Sequence, residues 1–135
     1  MRSRTLSSSS WLMLMLALAA GACDDGEDLG TEADRYGVGA ECSDDTQCGN
    51  IGLRCLDDFK GGYCGLKGCT RDAECPEGSA CVAHETGETY CFRICIDKAE
   101  CNLNRTLDDA SNCSANVIFV EPGKTVKACV PPSGT

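Results

Sequence analysis

Apolar bulk is scarce in this chain. From Cys42 to the C-terminus only 17 of 94 residues are Leu, Ile, Val or Phe. That is too few to close a conventional core, so covalent cross-links must take over part of the work of packing. Positive charge is also short: 12 Lys and Arg stand against 21 Asp and Glu, a formal net charge of −9. A surface of that sign repels nucleic-acid phosphates and excludes nucleic acid as a partner. No run of apolar residues is long enough to span a bilayer of ~30 Å, the longest being Trp11–Ala20. What the chain has in excess is cysteine, 13 in 135 residues, the composition of a disulfide scaffold in an oxidising compartment.

Residues 1–22 read as a signal peptide. Arg2 and Arg4 form the basic start, the apolar run follows, and small residues end it at Ala20-Gly21-Ala22. The stretch Leu18-Ala-Ala-Gly-Ala-Cys23 resembles the lipobox of bacterial lipoproteins, which implies that Cys23 carries a diacylglycerol and begins the mature chain. Ordinary cleavage after Ala22, giving simple secretion, is the alternative. Cysteine parity favours lipidation. Without Cys23 twelve cysteines remain, all between Cys42 and Cys129, whereas secretion would leave an exposed thiol at the N-terminus. Residues 23–41 hold seven acids and one base, and read as an extended acidic tether.

The cysteines from Cys42 onward fall into three sets of four, Cys42, Cys48, Cys55 and Cys64, then Cys69, Cys75, Cys81 and Cys91, then Cys95, Cys101, Cys113 and Cys129. Five residues separate the first two cysteines in every set, and an acid or amide (Gln47, Glu74, Glu100) precedes the second. Gly52 and Gly78 each lie three residues before a third cysteine, where the last set has Ala110. This is an internal repeat with units at 42–64, 69–91 and 95–129, the last one expanded, and a polar tail at 130–135. Asp45 and Asp72 are placed to cap a single turn between the first two cysteines. Lys60-Gly61-Gly62, Glu85–Glu88 and Glu121-Pro122-Gly123-Lys124 are turn sequences expected to close one short hairpin per unit. The fold class is therefore small and disulfide-rich, three tandem four-Cys modules of short β-hairpins and turns with little helix. Four cysteines allow three pairings within a unit. First with third and second with fourth is preferred, because it ties the turn to both hairpin strands.

Cysteines, acids and glycines across 42–129 resemble the small extracellular cysteine-rich repeats of EB-type and dickkopf-like modules. Such repeats after a lipobox are also a habit of surface lipoproteins in predatory and social bacteria. The resemblance implies extracellular scaffolding or binding and carries no particular ligand.

Catalysis lacks parts. His84 is the only histidine and reads as a solvent-facing imidazole beside a turn, and little core remains from which to carve a pocket. Zinc finds no Cys-x-x-Cys knuckle, the closest spacing being Cys91-x3-Cys95, and the same absence removes thioredoxin-like redox work. The acidic pairs Asp44-Asp45, Asp57-Asp58 and Asp108-Asp109 offer hard oxygens to calcium, but no D-x-D-x-D-G loop surrounds them. No metal, cofactor or enzymatic activity is expected. Asn104-Arg-Thr106 and Asn112-Cys-Ser114 match the N-glycosylation pattern, which has meaning only in a eukaryotic source.

The expected role is non-catalytic: a binding or scaffold module held at the cell envelope or surface by its lipid, with a protein or glycan partner. Tyr63, Tyr90 and Phe92 are candidate contact residues, and equally candidates for covering small cores. The competing class is a protease inhibitor presenting Arg54, Arg71 or Arg93 on a braced loop. A secreted structural protein without an anchor comes third.

Overall fold

A computed structural model describes residues 30–49 and 52–134. The signal segment, Cys23 and the first part of the acidic stretch lie outside those residues. The described elements are short: helices α1 (Glu32–Tyr36) and α2 (Lys98–Cys101), three single turns of 3-10 helix, and strands β1 (Arg54–Cys55), β2 (Cys64–Gly65), β3 (Ser79–Ala83), β4 (Thr89–Cys95), β5 (Asn112–Ser114), β6 (Ile118–Phe119) and β7 (Lys127–Val130). Among the described residues no helix is long and apolar enough to cross a membrane.

All twelve cysteines from Cys42 to Cys129 are paired, first with third and second with fourth in every unit: Cys42–Cys55, Cys48–Cys64, Cys69–Cys81, Cys75–Cys91, Cys95–Cys113 and Cys101–Cys129. Six bonds in so small a body belong to an oxidising compartment. Each unit opens in the same way. Gln47 accepts the backbone N–H of Ser43 at 2.8 Å, Glu74 that of Thr70 at 2.6 Å, and Glu100 that of Ile96 at 2.6 Å. The acid or amide before the second cysteine thus closes a loop onto the residue after the first, which satisfies a donor the single turn cannot reach.

Asp45 and Asp72 do not cap these turns. In unit 1 the capping side chain is Asp44, and in unit 2 Arg71 stands at the cap position with no side-chain bond. The two aspartates reach forward instead, accepting the N–H of the third cysteine, Cys55 at 2.8 Å and Cys81 at 2.9 Å. Unit 3 has Lys98 at this place, which has nothing to accept with.

The hairpins form in units 1 and 2, with Cys55 opposite Cys64 in β1–β2 and Cys81 opposite Cys91 in β3–β4. The third expected hairpin does not form. Val117–Val120 and Thr125–Val126 do not pair with each other. β6 adds to β3, while β7 adds to β4 and β5, giving the sheet order β5-β7-β4-β3-β6. The reason is cooperative. A two-stranded ribbon is marginal in water, and the long β3–β4 ladder gains more from a strand on each side than a second isolated ribbon would add. The turn Glu121–Lys124 becomes a strap, with Glu121 accepting the Asp72 N–H at 2.7 Å and Lys124 ion-paired to the Asp72 carboxylate.

Alternation along β3 and β4 separates two faces. Val82, Tyr90 and Phe92 enter the main core, and Cys81 and Cys91 face their own disulfide cluster on the other side. The main core is one body and not three small ones. Phe59 and Tyr63 of unit 1 pack on Tyr90 and Phe92 of unit 2, with Ala128 of unit 3 and Ala33 and Val38 from upstream of the first unit. Few apolar residues suffice because the large rings are pooled in one place.

Residues 30–41 are not a tether. Thr31 and Asp34 form a reciprocal capping box on α1. Ala33 and Val38 are buried, and the Ala33 N–H bonds to the Glu77 carbonyl at 2.7 Å. Burying two apolar side chains outweighs the like charge along the stretch. The tail is not free either. Ser133 bridges Phe59, Pro131 is buried, and the Gly134 N–H bonds to the Asp58 carbonyl at 2.9 Å.

Candidate functional site

Tyr63, Tyr90 and Phe92 are at most 1 % exposed, so of the two readings open for them the covering role is the one adopted. Tyr63 accepts the Arg93 N–H at 3.1 Å through its phenol oxygen, and burial pushes the phenol up to about 12. His84 departs from the solvent-facing expectation. Its ring is half-buried and stands edge-on to Phe59 and Tyr90, with centroids at 5.4 and 5.8 Å, and its Nδ1 is enclosed without a hydrogen bond. The two-residue period of β3 carries past Ala83 and turns His84 toward the aromatic face, as it does Val82.

The three arginines differ. Arg93 is ion-paired to Asp34 and donates to the Glu100 carbonyl at 3.0 Å, with 14 % of its side chain exposed. It staples the N-terminal segment to β4 and is not free to enter a protease pocket. Burial opposes ionisation of Asp34, but bonds from Thr31 and the Arg93 guanidinium outweigh it and hold the carboxyl below its ordinary value. Arg54 and Arg71 remain exposed, paired with Asp45 and Glu74.

The acidic pairs have protein donors. Asp44 accepts from Thr46, Asp45 from Arg54 and Cys55, Asp58 from Lys67 and Tyr90, and Asp109 pairs with Lys60. In each unit three cysteine sulfurs lie within 4.8 Å of one another, because two disulfides pack side by side. Those sulfurs are bonded in pairs and offer no thiolates to a metal.

One loop stands out, and its cysteine spacing alone marked it only as expanded. Between Cys101 and Cys113 the unit 3 chain makes a platform held by Arg105. The guanidinium donates to the carbonyls of Asp109 (2.7 Å), Gly62 (2.7 Å), Lys60 (2.8 Å) and Gly39 (3.2 Å). Burial pulls its pKa down against the attraction of Glu41, Tyr63 and Asp109. Around it Glu41 accepts the Thr106 N–H at 2.8 Å, and Asn102 exchanges two bonds with Ser111. On this fixed platform Leu103 and Leu107 are 69 % and 94 % exposed. No signal in the sequence distinguishes a presented leucine from a buried one here, since the loop has neither helical nor strand periodicity. Beside Leu103 an open depression is lined by Glu41, Ser43, Gln47 and Thr106.

No protein-family model, curated protein or solved structure matches this chain.

Proposed function

We propose that the protein is an exported lipoprotein, anchored through Cys23, that acts as a non-catalytic binding module for a protein or glycan partner at the cell envelope or surface. The observation that carries the binding role is the Arg105 platform. A half-buried guanidinium and four backbone carbonyls hold a loop rigid, and the loop buries neither of its leucines. Rigidity of that kind lowers the ordering cost of association, and exposed apolar side chains at fixed positions supply the gain. With the three aromatics inside, the contact role passes to Leu103 and Leu107.

The anchor is tested by intact mass spectrometry of the protein from membranes. A diacylglycerol on Cys23 together with six disulfides is the expected result. An unlipidated soluble chain would leave the secreted alternative. The contact surface is tested with Leu103→Asp and Leu107→Asp, which should abolish crosslinking to the partner on cells while leaving the six bonds and the unfolding temperature unchanged. The protease-inhibitor reading rests on Arg54 and Arg71, which remain exposed, and titration against trypsin-like and subtilisin-like proteases decides it.

A further inference from the structure

The five-stranded sheet ends on one side in β5 and on the other in β6. β5 is polar at Asn112 and Ser114 and is held by the Cys95–Cys113 bond. β6 is different. It pairs with β3 on its inner side, where the Val120 N–H reaches the Cys81 carbonyl at 2.9 Å. Backbone groups alternate in direction along a strand, so the N–H and C=O of Phe119 point away from the sheet. The alternation covers Val117–Val120: Val117 and Phe119 pack against the main core, while Ile118 and Val120 are 73 % and 37 % exposed. Edge strands are ordinarily guarded by lysine or proline. This one has neither, and only its brevity protects it.

Charge selects the occupant. The eleven residues Ala110–Val120 carry no formal charge, the longest such run among the described residues. Just past it, Glu121 and Lys124 are both engaged with Asp72. Two copies of a chain with net charge −9 repel each other, and along this edge they can touch without setting carboxylate against carboxylate. We propose that β6 pairs antiparallel with β6 of a second copy, about a two-fold axis at Ile118. Ile118 then faces Ile118 of the second copy as a non-hydrogen-bonded pair, with Cα atoms ~4.5 Å apart, and Val117 and Phe119 exchange backbone bonds across the axis. So short a contact buries less than the ~1,200 Å² of stable interfaces, and a dissociation constant of about 0.1–1 mM is expected. The exposed Glu85 lines the same cleft as Ile118, so some repulsion remains and salt should tighten the pairing. The pairing is independent of the lipid anchor and of the leucine platform.

The experiment is an amide-resolved NMR dilution series from about 1 mM, with sedimentation equilibrium for stoichiometry. It uses the oxidised chain beginning at Cys23, that thiol alkylated so that it cannot link copies. Saturable shifts should centre on Val117–Val120, and the mass should approach that of two chains. Ile118→Asp should abolish both changes, and Leu107→Asp should leave them. Ile118→Cys should form a disulfide-linked dimer in air with the six native bonds intact, since the paired Cα atoms lie within disulfide reach, and Leu107→Cys should not. If Ile118→Asp does not fold, the dilution series and the two cysteine variants decide alone. A monomer at about 1 mM would leave the edge to a strand of some other chain and overturn the assignment. Shifts centred elsewhere, a dimer that survives a folded Ile118→Asp, affinity that falls with salt, or equal linking by Leu107→Cys would overturn it as well.

Discussion

Units 2 and 3 begin alike and end differently. Each opens with a first cysteine, a short turn and a glutamate that closes back on the residue after that cysteine, Glu74 on Thr70 and Glu100 on Ile96. Each pairs its cysteines in the same order. Past the second cysteine they part. Unit 2 keeps Gly78 at a left-handed φ of 87°, with its Cα against Thr31 of the N-terminal segment, and makes the longest hairpin. Unit 3 has Ala110 at that place with an ordinary φ of −61°, inserts the Arg105 loop, and gives β6 and β7 to the hairpin of its neighbour. The front half of the repeat is a self-sufficient closure of side chain, turn and disulfide. The back half is open to tertiary choice, and it is where the molecule acquires its surface features.

If that division is right, the largest effects come from the cross-links. Removing Cys101–Cys129 as a double serine variant opens the longest of the six loops, 28 residues, and should cost about 3–4 kcal/mol in denaturant unfolding. Removing Cys69–Cys81, which closes 12 residues, should cost about 3 kcal/mol, so the ranking of the two is itself a check.

Arg105→Met comes next. It strips four carbonyls of a charged donor and should cost about 2–3 kcal/mol. Arg105→Lys should recover little of this, because an ammonium cannot reproduce the planar fork. Chemical denaturation of both variants, with hydrogen exchange at residues 102–111, would report it. The damage should stay within unit 3 and the segments it touches near Gly39 and Gly62.

The repeated closure should be worth less and the same everywhere. Glu74→Ala and Glu100→Ala each free one backbone donor and should cost about 1 kcal/mol. Unequal costs would show that the front halves are not equivalent.

Acid gives the smallest effect. The Asp34 carboxyl lies below its ordinary value of 3.8 in the folded chain. Its stabilisation is fully present above that value and is lost as pH falls through the lower folded one. Protection factors of the α1 amides, corrected for the intrinsic exchange rate at each pH, should therefore fall below about pH 4, with the β3–β4 core still protected. Asp34→Asn should remove the acid dependence in α1.

Much of this molecule can be read from cysteine spacing, because four cysteines at repeated intervals restrict the chain before any packing is considered. The pairing, the turn between the first two cysteines and the first two hairpins follow from intervals and turn residues. The position of Gln47, Glu74 and Glu100 was visible as a pattern, and the backbone N–H that each accepts supplies its reason. What could not be read depends on long-range partners. Val117–Val120 and Val126 look like hairpin strands because β-propensity carries no information about which edge a strand will join. Residues 30–41 look like a solvated tether because composition averages over Ala33 and Val38, the two side chains that dock. Tyr63, Tyr90 and Phe92 sit beside cysteines in every plausible register, and their burial depends on three units sharing one core. Arg105 was indistinguishable from any loop arginine, since its four acceptors come from segments some 4 to 66 residues away in sequence.

The claim that each unit is closed by its own pair of crossed disulfides is most directly tested by peptide mapping of the unreduced protein. The expected fragments join Cys42 to Cys55, Cys48 to Cys64, Cys69 to Cys81, Cys75 to Cys91, Cys95 to Cys113 and Cys101 to Cys129. A bridge between units, a Cys42–Cys48 or Cys55–Cys64 bond, or a folded chain with free thiols among these twelve would contradict it.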